Sequence, residues 1–269
     1  MFVTHKAQNG VVFVRSDVLR SQHAFSTRIG GVSDLSHTSA LNLAFNRGDK
    51  DETVLENLNR FGDAACFEPQ NVISLPQIHS SDIIEVDLSM RGEGYFKAPH
   101  TACDGYITTQ SGIVLGVKTA DCLPLIFEAE DENGRIAAVS AVHAGWRGTV
   151  AGIAQNAIWA LLKKGIKSEN IRVALGPCIG GCCFEVGEDF LISVKQVRGE
   201  EFAKSFVIFK NGKMYADIRA MNVKLLEDCG VLLKNIDISY ECTFCSDQKF
   251  YSHRRMAGIR GTMLSVVSM

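Results

Sequence analysis

No stretch of this sequence approaches the run of about 20 apolar residues that a membrane-spanning helix needs. The opening residues, MFVTHKAQNG, lack the charged and apolar regions of a secretory leader. Neither sign of charge is in excess. Lys and Arg number 28 against 30 Asp and Glu, a net −2, which gives the whole chain no pull towards nucleic acid or anionic lipid. A local basic cluster remains free to bind phosphate. Internal repeats, low-complexity tracts and long linkers are absent as well. These absences speak against a membrane protein, a nucleic-acid binder working through bulk charge, and a repeat array. They predict a cytoplasmic protein, monomeric or a small homo-oligomer. Its nine cysteines would then be reduced, serving as buried thiols, metal ligands or a nucleophile rather than as disulfides.

What is present is the composition of an ordinary globular protein, 46% hydrophobic and 22% charged over 269 residues, with ample material for a core. Residues 51–65, DETVLENLNRFGDAA, put Val54, Leu55, Leu58 and Phe61 on one helical face, and Asp51 and Glu52 suit the positive end of the helix dipole. GVVFV, HAFSTRIGGVS, NVISL, DIIEV, YITT, IVLGV, LPLIF, IAAVSAV and IRVALG read as short strands, many rich in β-branched residues. Thr149 to Lys164 turns helical, with Gly165 as its stop. VGEDFLISVKQV and DIRAMNVKLLEDCG read as helices, and IDISYEC and TMLSVV as late strands. This mixture predicts one α+β domain spanning residues 1–269.

Three potential metal ligands occupy similar local settings. His143 ends the apolar run before a Gly-Trp-Arg-Gly turn, His79 lies in the loop PQIHSS, and Cys122 interrupts two apolar runs in VKTADCLPLIF. Strand ends along one sheet edge are neighbours in space, and two imidazoles with one thiolate suit zinc. A structural zinc normally has four protein ligands, a catalytic one three and an open position. Spacing alone also allows a plainer reading, and favours it: surface histidines in ordinary hydrogen bonds and a small buried thiol.

TADCLPLIF, AVHAGWRGTVAGI and GPCIGGCCFEVGEDF together resemble blocks of the laccase-domain family. HAFSTRIGGVS, LNLAFNRGD, LPQIHSSDIIEVD and CTFCSDQKFYSHRRMAGIRGTMLSVV match further blocks in the same order, so the likeness spans nearly the whole chain. The family was once labelled as multicopper polyphenol oxidases and is now described as purine nucleoside phosphorylases with adenosine deaminase activity. The resemblance implies a sandwich-like core of mixed β-sheets flanked by helices, a zinc site built from His79, Cys122 and His143, and purine nucleoside and phosphate as substrates. It departs from the family near the end. Where the family often has Thr-Gly-Arg after its Arg-Arg pair, this chain reads HRRMAGIRG, leaving Arg260 as the candidate for that arginine.

Other residues carry two readings each. Arg147 is a phosphate clamp or a loop arginine, and Arg28 likewise. Asn42 and Arg47 belong to the LNLAFNRGD block as substrate contacts or loop stabilisers. Asp121 is a proton-handling base, an orienting partner for a histidine or a turn residue; Asp104 reads as a turn residue. Cys242 and Cys245 have Cys-x-x-Cys spacing but no second pair of that spacing. With Cys178, Cys182 and Cys183 they read as packing thiols, a second metal being the alternative. His253, Arg254 and Arg255 read as a solvated basic surface.

The leading expectation is zinc-dependent phosphorolysis of adenosine, inosine and methylthioadenosine, with adenosine deamination. Alternatives are a hydrolase or amidase using a Cys122 nucleophile with a histidine, a copper-dependent polyphenol oxidase with copper in the same site, and a non-enzymatic protein stabilised by zinc. Seven histidines in all supply little for an oxygen-reducing copper cluster.

Overall fold

The computed structural model describes residues 1–269. Two six-stranded mixed sheets lie face to face, each covered on its outer side by helices. The first has the order β1 (Phe2–Lys6), β2 (Val12–Ser16), β3 (Gln22–Ser26), β15 (Met263–Ser268), β7 (Val114–Thr119), β4 (Val72–Ile73). The second runs β14 (Ile236–Ile238), β10 (Ile171–Leu175), β8 (Leu123–Glu130), β9 (Ile136–Ala144), β6 (Gly105–Thr108), β5 (Ile83–Glu85). A small third sheet, β11 (Glu185–Val186), β13 (Lys213–Ala216) and β12 (Val207–Lys210), sits outside the sandwich. The α+β expectation holds.

Strand alternation explains the layers. In β8, Leu123, Leu125, Phe127 and Ala129 point towards the helices while Ile126 joins the packing between the sheets, and the strand is buried on both faces. Between the sheets, Phe25, Leu115, Val117 and Val267 of the first meet Tyr106, Val139, Ala141 and Ala174 of the second. Helix α1 (Asp51–Ala65) lays Val54, Leu58, Phe61 and Ala65 on the outer face of the first sheet. Helices α2 (Trp146–Ala151), α3 (Ile153–Leu162), α4 (Glu188–Arg198), α5 (Glu200–Phe206) and α6 (Ile218–Asp228) contribute to the core outside the second.

The single helix expected over 149–164 is a correction. Helical structure begins at Trp146 and breaks at Gly152, whose φ of +93° is left-handed. Arg198 Nε donates to Val150 O at 2.8 Å, satisfying a carbonyl freed by the break. Its guanidinium also fills the space a side chain at 152 would need. IDISYEC is strand only over Ile236–Ile238. Strand β1, helix α5 and the third sheet were not foreseen; β1 is an edge strand with no fully buried residue and β12 is largely exposed, so neither has a buried apolar alternation to betray it. No helix is long and apolar enough to cross a membrane.

Candidate metal centre and its cavity

Strand register assembles the centre. Strands β8 and β9 pair Leu123 with Ala144 and Pro124 with His143, which sets Cys122 beside the end of β9. Strands β6 and β9 pair Gly105 with Val142, so Asp104 adjoins His143. Parallel pairing of β5 with β6 matches Ile83 to Gly105 and brings the loop carrying His79 to the same place. The ligand atoms of His79, Cys122 and His143 consequently lie within 4.8 Å of one another. Cys122 Sγ and His79 Nε2 are 3.9 Å apart, and the two imidazoles stand edge to face at 4.9 Å between centroids. A tetrahedral zinc with bonds of roughly 2.0–2.3 Å separates such donors by about 3.5 Å, so the trio fits the ion with small adjustments.

Asp104 organises this arrangement, and its reading as a turn residue is corrected. The carboxylate is fully buried. It accepts from His143 Nδ1 at 2.7 Å and from the backbone N–H groups of Ile78, His79 and Ser80 at 3.1, 3.0 and 2.7 Å. One side chain thus fixes the His79 loop and turns His143 so that its other nitrogen faces the centre. The loop is tight, with His79 itself at φ +60°.

Of the three readings of Asp121, the geometry shows the turn residue. It turns the chain from β7 of one sheet into β8 of the other at φ +95°. Its carboxylate is occupied by Thr243 Oγ1 at 2.6 Å, Ser252 Oγ at 3.0 Å and the Arg254 N–H at 2.7 Å. Those bonds hold a strained backbone in place, and none of them involves a histidine.

Burial pushes the Cys122 thiol up, but His143 and then His79 overcome it and bring the value down to about 6. Burial correspondingly lowers His143, while Cys122 and Asp104 raise it to about 9. Both shifts favour the thiolate–imidazolium form of the pair.

The trio opens into a cavity of about 710 Å³ whose walls carry Arg47, Lys118, His253, Arg254 and Arg260. The charged ends find neutral partners. Lys118 Nζ donates to Ser74 O at 3.2 Å, Arg254 to Glu185 O at 3.0 Å and Arg260 to Thr262 Oγ1 at 2.7 Å, while Arg260 Nε is buried without a partner. Burial, and after it the charge of Arg47, lowers Lys118 to about 8 and Arg260 to about 10. The one carboxylate in the wall, Asp121, is engaged by Thr243, Ser252 and the Arg254 N–H, so the crowded cations, none in a salt bridge, make a ready anion seat. The family position expected of Arg260 thus faces the cavity, and the basic surface read at His253 and Arg254 belongs to the cavity wall. Arg255 instead donates to Thr243 O, Phe244 O and Phe250 O.

Three expected substrate contacts lie elsewhere. Arg147 is exposed and stacks on Trp146 at 4.2 Å, drawn aside by the ring face. Arg28 donates to Ser39 O and Asp247 O and stacks over Tyr251. Asn42 is buried and holds its own loop through Ala44, Asp49 and Thr262. Lys118 was missed; as the half-buried member of an otherwise buried strand it gave no local sign of facing a cavity.

The fold and site define a single-domain α+β protein with a His-Cys-His centre at the seam of two sheets. The family model described as multi-copper polyphenol oxidoreductase laccase matches residues 22–269, and the chain belongs to that family. Among its relatives are the purine nucleoside phosphorylase YlmD of Geobacillus stearothermophilus, 32% identical over 90% of this chain and 88% of that protein. Another is the adenosine deaminase RL5 of an unknown prokaryotic organism, 33% identical over 87% of this chain and 88% of its own length. The crystal structure of the Geobacillus YlmD superposes with a TM-score of 0.87 at 28% identity, covering 100% of this chain and 99% of that one.

Proposed function

We propose that residues 1–269 act as one domain, a zinc-dependent purine nucleoside phosphorylase taking adenosine, inosine and methylthioadenosine, with adenosine deaminase activity. The observation that carries the reading is a three-ligand centre opening onto a wall of four cations, Arg47, Lys118, Arg254 and Arg260, that outnumber its single carboxylate, Asp121. Three ligands rather than four favour catalysis over scaffolding, and the names of the relatives supply the purine. His79, Cys122 and His143 would hold the ion. When bound, it supplies Lewis-acid polarisation of the group seated beside it. Asp104 keeps the proton on His143 Nδ1 and so leaves Nε2 free to ligate. Lys118, Arg47 and Arg260 hold phosphate at the metal side of the cavity, where orientation replaces a bimolecular encounter. Phe45, Ile179 and Phe184 give the nucleoside apolar walls. Copper is an alternative occupant of the same three ligands.

The test is incubation of purified protein with each nucleoside, with and without phosphate, alongside Cys122→Ala. Phosphate-dependent release of free base, and ammonia from adenosine, both lost in the variant, are expected. Metal-loaded protein that turns over none of the three nucleosides would overturn the reading. One observation favours a second reading: Cys122 Sγ lies within 4.8 Å of the ring nitrogens of His143 and His79, the thiol–imidazole arrangement a cysteine hydrolase needs. Amide hydrolysis that survives complete metal removal would select it.

A further inference from the structure

A second cluster of ligating side chains lies on the far side of the Asp121 turn. Cys182 and Cys183 follow strand β10, and Cys242 and Cys245 follow strand β14. Parallel pairing of those strands matches Val173 to Ile236 and Leu175 to Ile238, and a further bridge joins Cys178 to Cys242. The two segments therefore leave the sheet side by side. The four sulfurs all lie within 4.8 Å of one another, with Cys182 to Cys245 at 3.9 Å and Cys183 to Cys245 at 3.4 Å. The partner pair missing from the sequence reading is thus the adjacent Cys182 and Cys183.

We infer that Cys182, Cys183, Cys242 and Cys245 hold a single zinc ion as a closed, structural site separate from the His-Cys-His centre. Three features argue for it. First, a tetrahedral zinc with Zn–S bonds of about 2.3 Å spaces its sulfurs by about 3.8 Å, close to the separations found here, whereas an iron–sulfur cluster interposes several metal and sulfide atoms and needs a wider ring. Second, the backbone N–H of Gly180 donates to Cys242 Sγ at 3.2 Å. An amide donated to sulfur stabilises a thiolate rather than a thiol. Third, Arg255 donates to the carbonyls of Thr243 and Phe244 at 2.6 and 2.7 Å. It clamps the backbone between Cys242 and Cys245 and so fixes the turn that presents both sulfurs.

The site has a mechanical consequence. The Cys182–Cys183 segment carries Ile179 and Phe184 to the cavity wall, and the Cys242–Cys245 turn carries Thr243, which bonds the Asp121 carboxylate next to Cys122. Tying these segments together braces the turn that presents a ligand of the other centre.

The test is metal stoichiometry on the intact chain, purified under reducing conditions with zinc supplied. The wild type should carry two zinc ions, Cys122→Ala one, Cys245→Ser one, and Cys229→Ser, outside both clusters, two. The ion kept by Cys122→Ala should show four sulfur neighbours at about 2.3 Å by X-ray absorption. That measurement stands even where Cys245→Ser fails to fold, and Cys182→Ser, at the cluster's other exposed corner, gives a second variant with the same expected loss. Because it is made without Cys122, it also stands apart from the nucleoside reading. A Cys122→Ala protein free of zinc, nitrogen or oxygen neighbours in its spectrum, copper in place of zinc, or a native mass two hydrogens light from a Cys183–Cys245 disulfide would each overturn the assignment.

Discussion

Replacing Asp104 with Asn changes no volume and removes one charge, yet two coupled losses are expected. The carboxylate oxygens accept four bonds, two each: Oδ1 from His79 N and His143 Nδ1, Oδ2 from Ile78 N and Ser80 N. An amide has one oxygen. Whichever way it is turned, its NH₂ group faces two buried donors. Each unsatisfied donor costs about 1–3 kcal/mol, so the variant should lose roughly 2–6 kcal/mol, or about 2–4 °C of melting temperature per kcal/mol. If the NH₂ faces His143, the ring can recover a bond only by moving its proton to the nitrogen that should ligate the metal. Loss of such an orienting partner typically costs 10–100-fold in metal affinity. Calorimetric melting of metal-free protein reads the first effect, and zinc competition against a chelator dye reads the second. An Asp104→Asn protein that melts and binds zinc like the wild type would refute the role given to this carboxylate.

Three further outcomes are expected. In metal-free protein, alkylation of Cys122 followed by peptide mass spectrometry should rise through a midpoint near pH 6, because the thiol is protonated and slow below that value and a thiolate above it; a midpoint near 9 would contradict the ion pair with His143. Gly145→Ala adds a Cβ 2.7 Å from the His79 ring at an ordinary φ of −67°, so it should weaken zinc binding while leaving the melting temperature nearly unchanged, and a large fall in stability with normal zinc affinity would count against it. For phosphate, kcat/KM should decline as pH rises through about 8, where Lys118 loses its proton. Lys118→Met should be about tenfold worse at neutral pH and lack that limb, and identical pH profiles would remove Lys118 from the phosphate seat.

The metal trio was legible because each member marks a place where an apolar run stops, and strand ends gather. Its supporting carboxylate was not, since only the pairing of β5 with β6 and of β6 with β9 turns Asp104 from a loop residue into a partner of His143. The arginines misled for a related reason. Arg147 follows a ligand by four residues, but the helix begins earlier than its apolar stripe suggested, and Trp146 offers a ring face on the outside. Lys118 and Arg47, contributed by a strand and a distant loop, meet only across the cavity. The second thiol cluster joins segments some 60 residues apart through β10 and β14, and IDISYEC was read as strand throughout where only Ile236–Ile238 is strand and Cys242 sits in an isolated bridge to Cys178.

Strand β15 has a consequence for how the protein is made. It follows the other fourteen strands in sequence, yet it lies inside the first sheet, with Ser265 matched to Phe25 on one side and to Val117 on the other. Until residues 263–268 leave the ribosome, the first three strands have no hydrogen-bonded route to β7. Synthesis halted before residue 263 should therefore leave two half-sheets with bare edges, an invitation to aggregation, and chaperone demand should peak just before the final strand closes the gap.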